Sequence, residues 1–455
     1  MPNALPFKSG VRSNIAAVRK MMCHWGYYWE DARAIIDIID AGGEEVRSIR
    51  NLYALALNLT MSQHVAISSA GAAYSYTRAR KEWLQLVPAL FSVASKDTRM
   101  VLAYLSSDLL TGHAVAGSMR EVPGLHDKRR FKIYVYIVKH DQVVAAVDAE
   151  NSGLADAILV DAHAAEMSEL AQWINDAGTH VVIDCNGQTG RESLPALAMR
   201  PAALHVHYLG FPSTIGASYI DHIIGDPIVS PPELVGYYTE KLLLLPTTFQ
   251  VTSHKTRQSH PFADGRTSPL PPMRTVGYVE GEEDLRLYHG FPAAGPTLCN
   301  WNQHFKLDPE FFGVWARIIK QVPNSTLIML RYPEESEPHL RYAARQMGLT
   351  GDQLRFLPKA SLTEHLQRTS FCDLFLDNRE YNSGTTCTDS LWAGVPTITM
   401  PRMKHAGRHA VSMIRAVGGT AQILQPRNED EYEEYAVRLL LKPNTWKRVH
   451  SDIVA

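Results

Sequence analysis

The chain has 455 residues, enough for more than one domain with a substantial core. Its formal net charge of -2 argues against a nucleic-acid binder held by broad phosphate attraction, and no apolar run reaches the ~20 residues a membrane helix needs. Five cysteines without metal spacing fit a reducing compartment and argue against a disulfide framework or a structural zinc site.

Residues 1–90 read as helical. Their first 29 residues carry Lys8, Arg12, Arg19 and Lys20 and no acid, which suits a solvated N-terminus better than a presequence. Trp29 to Ile39 has helical apolar spacing and stops at Gly42-Gly43, a C-cap signal. No repeat of fixed period appears there.

Strand-like runs follow at Met100–Leu105, Phe131–Val138, Ala157–Val160, His180–Asp184 and Leu204–Leu209, several of them separated by helical stretches such as Ala162 to Asp176. That alternation predicts a mostly parallel sheet covered by helices. His254 to Pro272, rich in Ser, His, Lys, Arg and Pro, reads as an exposed linker. A second alternating unit then runs through Thr297–Cys299, a helix capped by Asp308 and Pro309 and ending at Val322, strand Thr326–Leu330, helix Pro338–Met347, strand Leu354–Leu357, strand Cys372–Asp377 and strand Thr397–Met400. Four segments result: helices over 1–95, a Rossmann-like unit over 96–253, the linker over 254–272 and a second Rossmann-like unit over 273–455.

The chemistry concentrates between Ser361 and Asp389. Ser361 and Glu364 form a capping-box pattern that puts His365 in the first turn of a helix. Gly384-Thr385-Thr386 opens the next helix, and Asp389 lies four residues after Thr385 on the same face. A strand feeding a helix through a glycine offers N–H groups, the positive end of a helix dipole and two hydroxyls to an anion. Two readings fit, an ordinary crossover or a nucleotide site with Asp389 on the ribose. Gln303 and Lys306 pair an amide with an ammonium suited to a leaving diphosphate, or are a solvated turn before a helix. His113, beyond the first strand, is a general-base candidate or one ordinary histidine among nineteen. His205 and His207 alternate within a strand, as residues of a partly exposed face do.

Taken in order, these motifs resemble the catalytic region of the O-GlcNAc transferase family of nucleocytoplasmic glycosyltransferases. The matching stretches include YLSSD…GH (104–113), VVIDCNGQTGRE (181–192), LGFPSTIGASYIDHIIGD (209–226), CNWNQHFKLDPEFF (299–312), EHLQR (364–368) and GTTCTDSLWAGVPTITMP (384–401). The resemblance implies the GT-B type of α/β fold, two Rossmann-like lobes facing across a cleft, with an N-terminal helical segment. It implies an inverting, metal-independent transfer of GlcNAc from UDP-GlcNAc, with no cofactor, to Ser or Thr of cytoplasmic or nuclear proteins. By the same resemblance His365 stacks on the uracil, Ala360 meets its edge, and Arg368 supports that pocket. Thr385 and Thr386 hold the diphosphate, Asp389 the ribose, and Gln303 and Lys306 the leaving phosphate. His113 is the base candidate, and Gly210, Pro212 and Tyr381 line the sugar and acceptor pocket.

The sequence departs from the family pattern where Leu362 replaces a lysine, Gly384 a histidine and Tyr381 a small cysteine. A tetratricopeptide array and a long inter-lobe insertion are also missing, so protein substrates would be chosen by the N-terminal helices, the cleft or a separate targeting partner. Gly384-Thr385-Thr386 and His405-Ala406 resemble instead the Spindly-type O-fucosyltransferases, which use GDP-fucose. A catalytically idle scaffold or sensor is the remaining alternative.

Overall fold

The computed structural model describes residues 9–82, 86, 97–110, 113–138, 154, 157–190, 193–257, 274–279 and 283–454. Most of the stretch read as a linker, 258–272, therefore lies outside the described residues. The chain divides into two compact units: residues 38–54 with 59–253, and residues up to Asp37 with 55–58 and 254–455. Below they are the N-terminal and the C-terminal unit.

In the N-terminal unit seven strands form one sheet: β1 (Met100–Ser106), β2 (Phe131–Val138), β3 (Ile158–Ala162), β4 (Val181–Asp184), β5 (Leu204–His207), β6 (His222–Gly225) and β7 (Lys241–Leu244), in the order β3-β2-β1-β4-β5-β6-β7. Every pairing is parallel, with Met100 opposite Phe131 and Leu102 opposite Val181. β6 and β7 are absent from the sequence reading. Lys241–Leu244 is an edge strand whose side chains stay largely exposed, so its four residues carry no burial pattern. The Met61–Ala79 helix belongs to this unit; Thr60 caps it by accepting from Gln63 N, and Gln63 answers with the reciprocal bond.

A short antiparallel pair, β8 (Arg274–Thr275) and β9 (Tyr278–Val279), precedes the C-terminal sheet. That sheet contains β10 (Thr297–Asn300), β11 (Thr326–Leu330), β12 (Leu354–Leu357), β13 (Leu374–Leu376) and β14 (Thr397–Ile398), all parallel, in the order β12-β11-β10-β13-β14. β10 and β13 are both buried along their whole length; β13 reads as a continuous apolar run, whereas in β10 Leu298 and Cys299 stand between Thr297 and Asn300. The Pro309–Gln321 helix presses Phe311, Phe312, Trp315, Ile318 and Ile319 into the core, each worth roughly 1.5–3 kcal/mol. Two terminal helices, Glu429–Leu441 and Pro443–Val454, complete this unit; Trp446 Nε1 donates to Asp373 O at 2.6 Å, and His450 Nδ1 donates to Gly394 O at 2.7 Å.

One buried cation ties these parts together. Arg379, just past β13, donates through Nε and Nη2 to Asp308 at 3.1 and 3.0 Å and through Nη2 to Glu310 at 2.8 Å, and it also pairs with Glu429. Asp308 is the N-cap of the Pro309–Gln321 helix and accepts from Phe311 N at 2.9 Å. Burial raises the Asp308 pKa above its ordinary value despite Arg379, so losing the guanidinium leaves a buried carboxylate without its nearest counter-charge. Arg379→Ala is expected to cost about 3–5 kcal/mol, measured as a lowered denaturant midpoint.

Candidate functional site

Sheet order locates the site before any residue is considered. In β12-β11-β10-β13-β14 the first strand of the sheet, β10, lies beside the fourth, β13, so the direction of winding reverses there. The loops leaving the carboxyl ends of these two strands diverge and open a crevice, the usual place for a ligand in such a sheet. The residues after β10 are Trp301 to Lys306, and those after β13 are Asp377 to Thr386.

Amides and hydroxyls lace these two loops together. Asn300 Nδ2 donates to Leu376 O (2.7 Å) and Asn378 Oδ1 (3.1 Å), and Asn302 Nδ2 donates to Asn378 Oδ1 (2.7 Å). Thr386 Oγ1 donates to Asn302 Oδ1 (2.8 Å), so a hydroxyl expected on a diphosphate is tied to the β10 loop. Lys306 Nζ donates to Asn382 O (2.9 Å) and lies 3.9 Å from the centre of the Tyr381 ring. Burial pushes the Lys306 ammonium below its ordinary pKa, and the Asp377 carboxylate draws it partly back. Asp377 itself is raised by burial, although Thr399 and Ser383 hydrogen-bond its oxygens. Gln303 starts the His304–Lys306 turn and is exposed.

The Thr385–Trp392 helix starts at Gly384, which provides no side-chain cap. Gly384 has φ -99°, so a glycine is not demanded by a left-handed backbone there. Asp389 is buried, and His254 Nε2 donates to its Oδ1 at 2.7 Å, while His365 Nε2 lies 3.5 Å from Oδ2. Burial alone would raise Asp389; the hydrogen bonds and charges of His254 and His365 outweigh it and hold the carboxyl below its usual range. His365 meets the edge of Trp301 at 5.5 Å. Arg368 lies 4.8 Å from the Trp301 ring centre and donates to Pro358 O at 2.6 Å. Ala360 precedes Ser361, whose Oγ accepts from Glu364 N at 3.3 Å, the serine half of the expected capping box.

The C-terminal unit therefore brings Gln303, Lys306, Ala360, His365, Arg368, Tyr381, Thr385, Thr386 and Asp389 onto adjoining loops and helix starts around one switch point. Sequence reasoning missed Asn302, Asn378, Trp301, Trp392 and, above all, His254. The last was read as exposed linker and is only 5% exposed.

The remaining candidates belong to the N-terminal unit, where β1 and β4 flank the switch point. His113 is the N-cap of the Ala114–Met119 helix; its Nδ1 accepts from Val115 N at 3.3 Å and stands 3.8 Å from Asp108. A neutral imidazole accepting at Nδ1 carries its proton on Nε2, so in this tautomer it presents a donor there and not a lone pair. Gly210 and Pro212 follow β5. A Cβ on Gly210 would overlap the Cys185 carbonyl oxygen, and one on Gly187 (φ +57°) would overlap the Phe211 side chain. The two turns interlock through these glycines.

His205 and His207, expected on a partly exposed face, are both fully buried. Polar partners compensate for that burial by half at His205, whose Nδ1 donates to Tyr219 O (2.9 Å) while Nε2 is buried without a hydrogen-bond partner among the described residues. They compensate fully at His207, which donates from Nδ1 to Asp184 (3.1 Å) and from Nε2 to Phe211 O (2.8 Å). Two donations require an imidazolium. Burial would lower the His207 pKa, but Asp184 and the Phe211 carbonyl raise it overall. Its stabilisation is therefore fully present below the unfolded value near 6.5 and is lost as pH climbs through the higher folded value. The urea midpoint of the N-terminal unit is expected to be higher at about pH 6 than at about pH 8 through this group, and His207→Gln should flatten that slope.

A family model described as glycosyl transferase family 41 matches residues 22–264 and 284–455. The chain belongs to glycosyl transferase family 41. Among its similar proteins is a probable UDP-N-acetylglucosamine–peptide N-acetylglucosaminyltransferase, SEC, of Arabidopsis thaliana, 33% identical over 344 residues, covering 75% of this chain and 33% of the relative. A protein of Petunia hybrida with the same activity in its name, SPINDLY, is 29% identical over 357 residues, covering 76% of this chain and 35% of that one. The chain thus spans about a third of the length of these plant relatives. An O-GlcNAc transferase structure from Thermobaculum terrenum superposes with a TM-score of 0.75 at 22% identity, covering 98% of this chain and 79% of that one. The fold of this family 41 member is accordingly α/β of the GT-B type, with an N-terminal helical segment. Among the described residues no helix is long and apolar enough to cross a membrane.

Proposed function

We propose that this chain is an inverting glycosyltransferase that moves GlcNAc from UDP-GlcNAc to Ser or Thr hydroxyls of cytoplasmic or nuclear proteins. The carrying observation is the hydrogen-bonded set at the C-terminal switch point, where Lys306, the Thr385–Trp392 helix start and the Asp389–His365 pair lie on adjoining loops. An ammonium, the Thr385 hydroxyl and a helix N-terminus suit a diphosphate, with Thr386 joining once its hydroxyl leaves Asn302, and a buried carboxylate suits a ribose. His365, edge-on to Trp301 and backed by Arg368, provides a ring for the base, with Ala360 at the pocket's margin.

In the proposed step the acceptor oxygen attacks the anomeric carbon while the bond from that carbon to the diphosphate oxygen breaks. The electron pair leaves on the diphosphate, where Lys306 and the helix N–H groups offset its charge without a metal, assisted by Gln303. The hydroxyl proton goes to His113 or, through water, to a diphosphate oxygen. The Val115 contact at His113 Nδ1 favours the second route, because the base role needs the ring to release that N–H first. Gly210 and Pro212 would border the acceptor. Protein substrates would be recruited through the N-terminal helices or a separate targeting partner, and neither nucleic acid nor a membrane enters the reaction.

Tyr381 motivates a second reading. Its bulk where the resemblance expects a small residue beside the acetamido group gives weight to an idle scaffold, while Gly384-Thr385-Thr386 and the His405-Ala406 pair favour transfer of fucose from GDP-fucose. Calorimetric titration with UDP, GDP, UDP-GlcNAc and GDP-fucose separates the readings. Tighter binding of UDP is the expected result, tighter GDP would move the donor to the fucose reading, and binding of none would favour an idle scaffold.

A further inference from the structure

His254 has no role in the function proposed above, yet it makes the shortest contact to the carboxylate placed at the ribose. It opens a short helical turn, His254–Arg257, and is almost wholly enclosed. Its Nε2 donates to Asp389 Oδ1 at 2.7 Å, the length of a charge-assisted hydrogen bond. Its ring is stacked on Trp392, centroids 5.4 Å apart and planes 22° from parallel. Asp389 and Trp392 are three residues apart on one helix and so share a face. One imidazole therefore grips both the carboxylate and the ring beside it.

The two oxygens of Asp389 are consequently unequal. Oδ1 is committed to His254, whereas Oδ2 has only the 3.5 Å contact with His365, at the outer limit for a hydrogen bond. A carboxylate without the first bond turns freely about its terminal torsion, which is broad and roughly two-fold. With that bond it presents one oxygen in one orientation.

We infer that His254 is a positioning residue for a nucleoside diphosphate: it holds Asp389 Oδ1 so that Oδ2 can accept from a ribose hydroxyl. This deepens the nucleotide-site reading and rests on it. His254 need not touch the ligand; it acts through Asp389. Its contribution should therefore appear in discrimination between ribose and deoxyribose rather than in affinity for the diphosphate.

The test is calorimetric titration of UDP, 2′-deoxy-UDP and 3′-deoxy-UDP into the full chain, repeated with GDP and its deoxy forms should GDP bind more tightly. The wild type is expected to prefer the ribonucleotide over one of the deoxy forms by roughly tenfold, the scale of one hydrogen bond to a charged group. His254→Ala and His254→Phe, the second keeping a ring on Trp392 without a donor, should both shrink that preference to within about twofold while deoxynucleotide affinity holds. His254→Gln, which restores an N–H, should recover part of it. In an Asp389→Asn background, His254→Phe should add nothing. A preference that survives both His254 variants, equal losses for ribo and deoxy forms, or additive effects in the double variant would overturn the inference and leave the nucleotide site standing. A wild type that binds UDP without any ribose preference does the same. Failure of the wild type to bind any nucleoside diphosphate would remove the site reading itself, and this inference with it.

Discussion

Replacing Lys306 with alanine is expected to lower transfer turnover by roughly two to three orders of magnitude while the chain remains folded. That size is typical of removing one preorganised group aimed at charge that develops in the transition state. In the unliganded chain the Lys306 ammonium is fixed by the Asn382 carbonyl and the Tyr381 ring, so it is poised and needs little rearrangement. Because burial lowers its pKa to about 8, part of the population is neutral just above that pH. A bound diphosphate brings negative charge beside it and raises the value again. Binding of UDP at about pH 8–9 should therefore take up a proton, seen as a dependence of the binding enthalpy on the buffer's ionisation enthalpy. Lys306→Ala should abolish that uptake. Turnover would also fall with rising pH through the same range in the wild type, as the charged form is lost. A variant that keeps both turnover and proton uptake would remove Lys306 from the mechanism.

What the sequence made legible follows from how locally each feature is encoded. β13 is buried on both faces, so its apolar run is continuous and readable. The Asp308 cap and the Thr385 helix start are encoded within a few neighbouring residues, and the structure places both where the pattern does. The Glu429–Leu441 helix was legible too, with Asn428 accepting from Glu431 N at 2.9 Å and acids filling the first turn, and it went unread. Other features depend on distant partners. His254 meets Asp389 across 135 positions, and the polar residues around His254 point the other way. Alternation put His205 and His207 on a common face without saying that the face is covered. Burial there rests on Asp184, Tyr219 and Phe211, which no local pattern announces.

The second large effect falls on Gly210, expected from resemblance beside the acceptor and revealed by packing as a close backbone approach. Gly210→Ala would set a methyl group into the carbonyl oxygen and carbon of Cys185, backbone atoms at the end of a central strand that cannot swing aside as a side chain does. Cys185 N itself donates to Leu105 O at 2.9 Å, so yielding there would disturb the β1–β4 pairing. The neighbouring turn is held by the His207 bond to Phe211 O, so the loop cannot relax without breaking that contact as well. Overpacking against rigid atoms costs about 1–3 kcal/mol and sometimes more; because the nearest atoms met are all backbone of Cys185 and Asn186, the upper part of that range is expected. The urea midpoint of the N-terminal unit should drop accordingly, with nucleotide affinity in the C-terminal unit unchanged, because every group proposed to hold UDP lies in that other unit. Loss of transfer alongside intact UDP binding would then mark Gly210 as a structural support of the acceptor side, whereas an unchanged midpoint would contradict the close contact with Cys185.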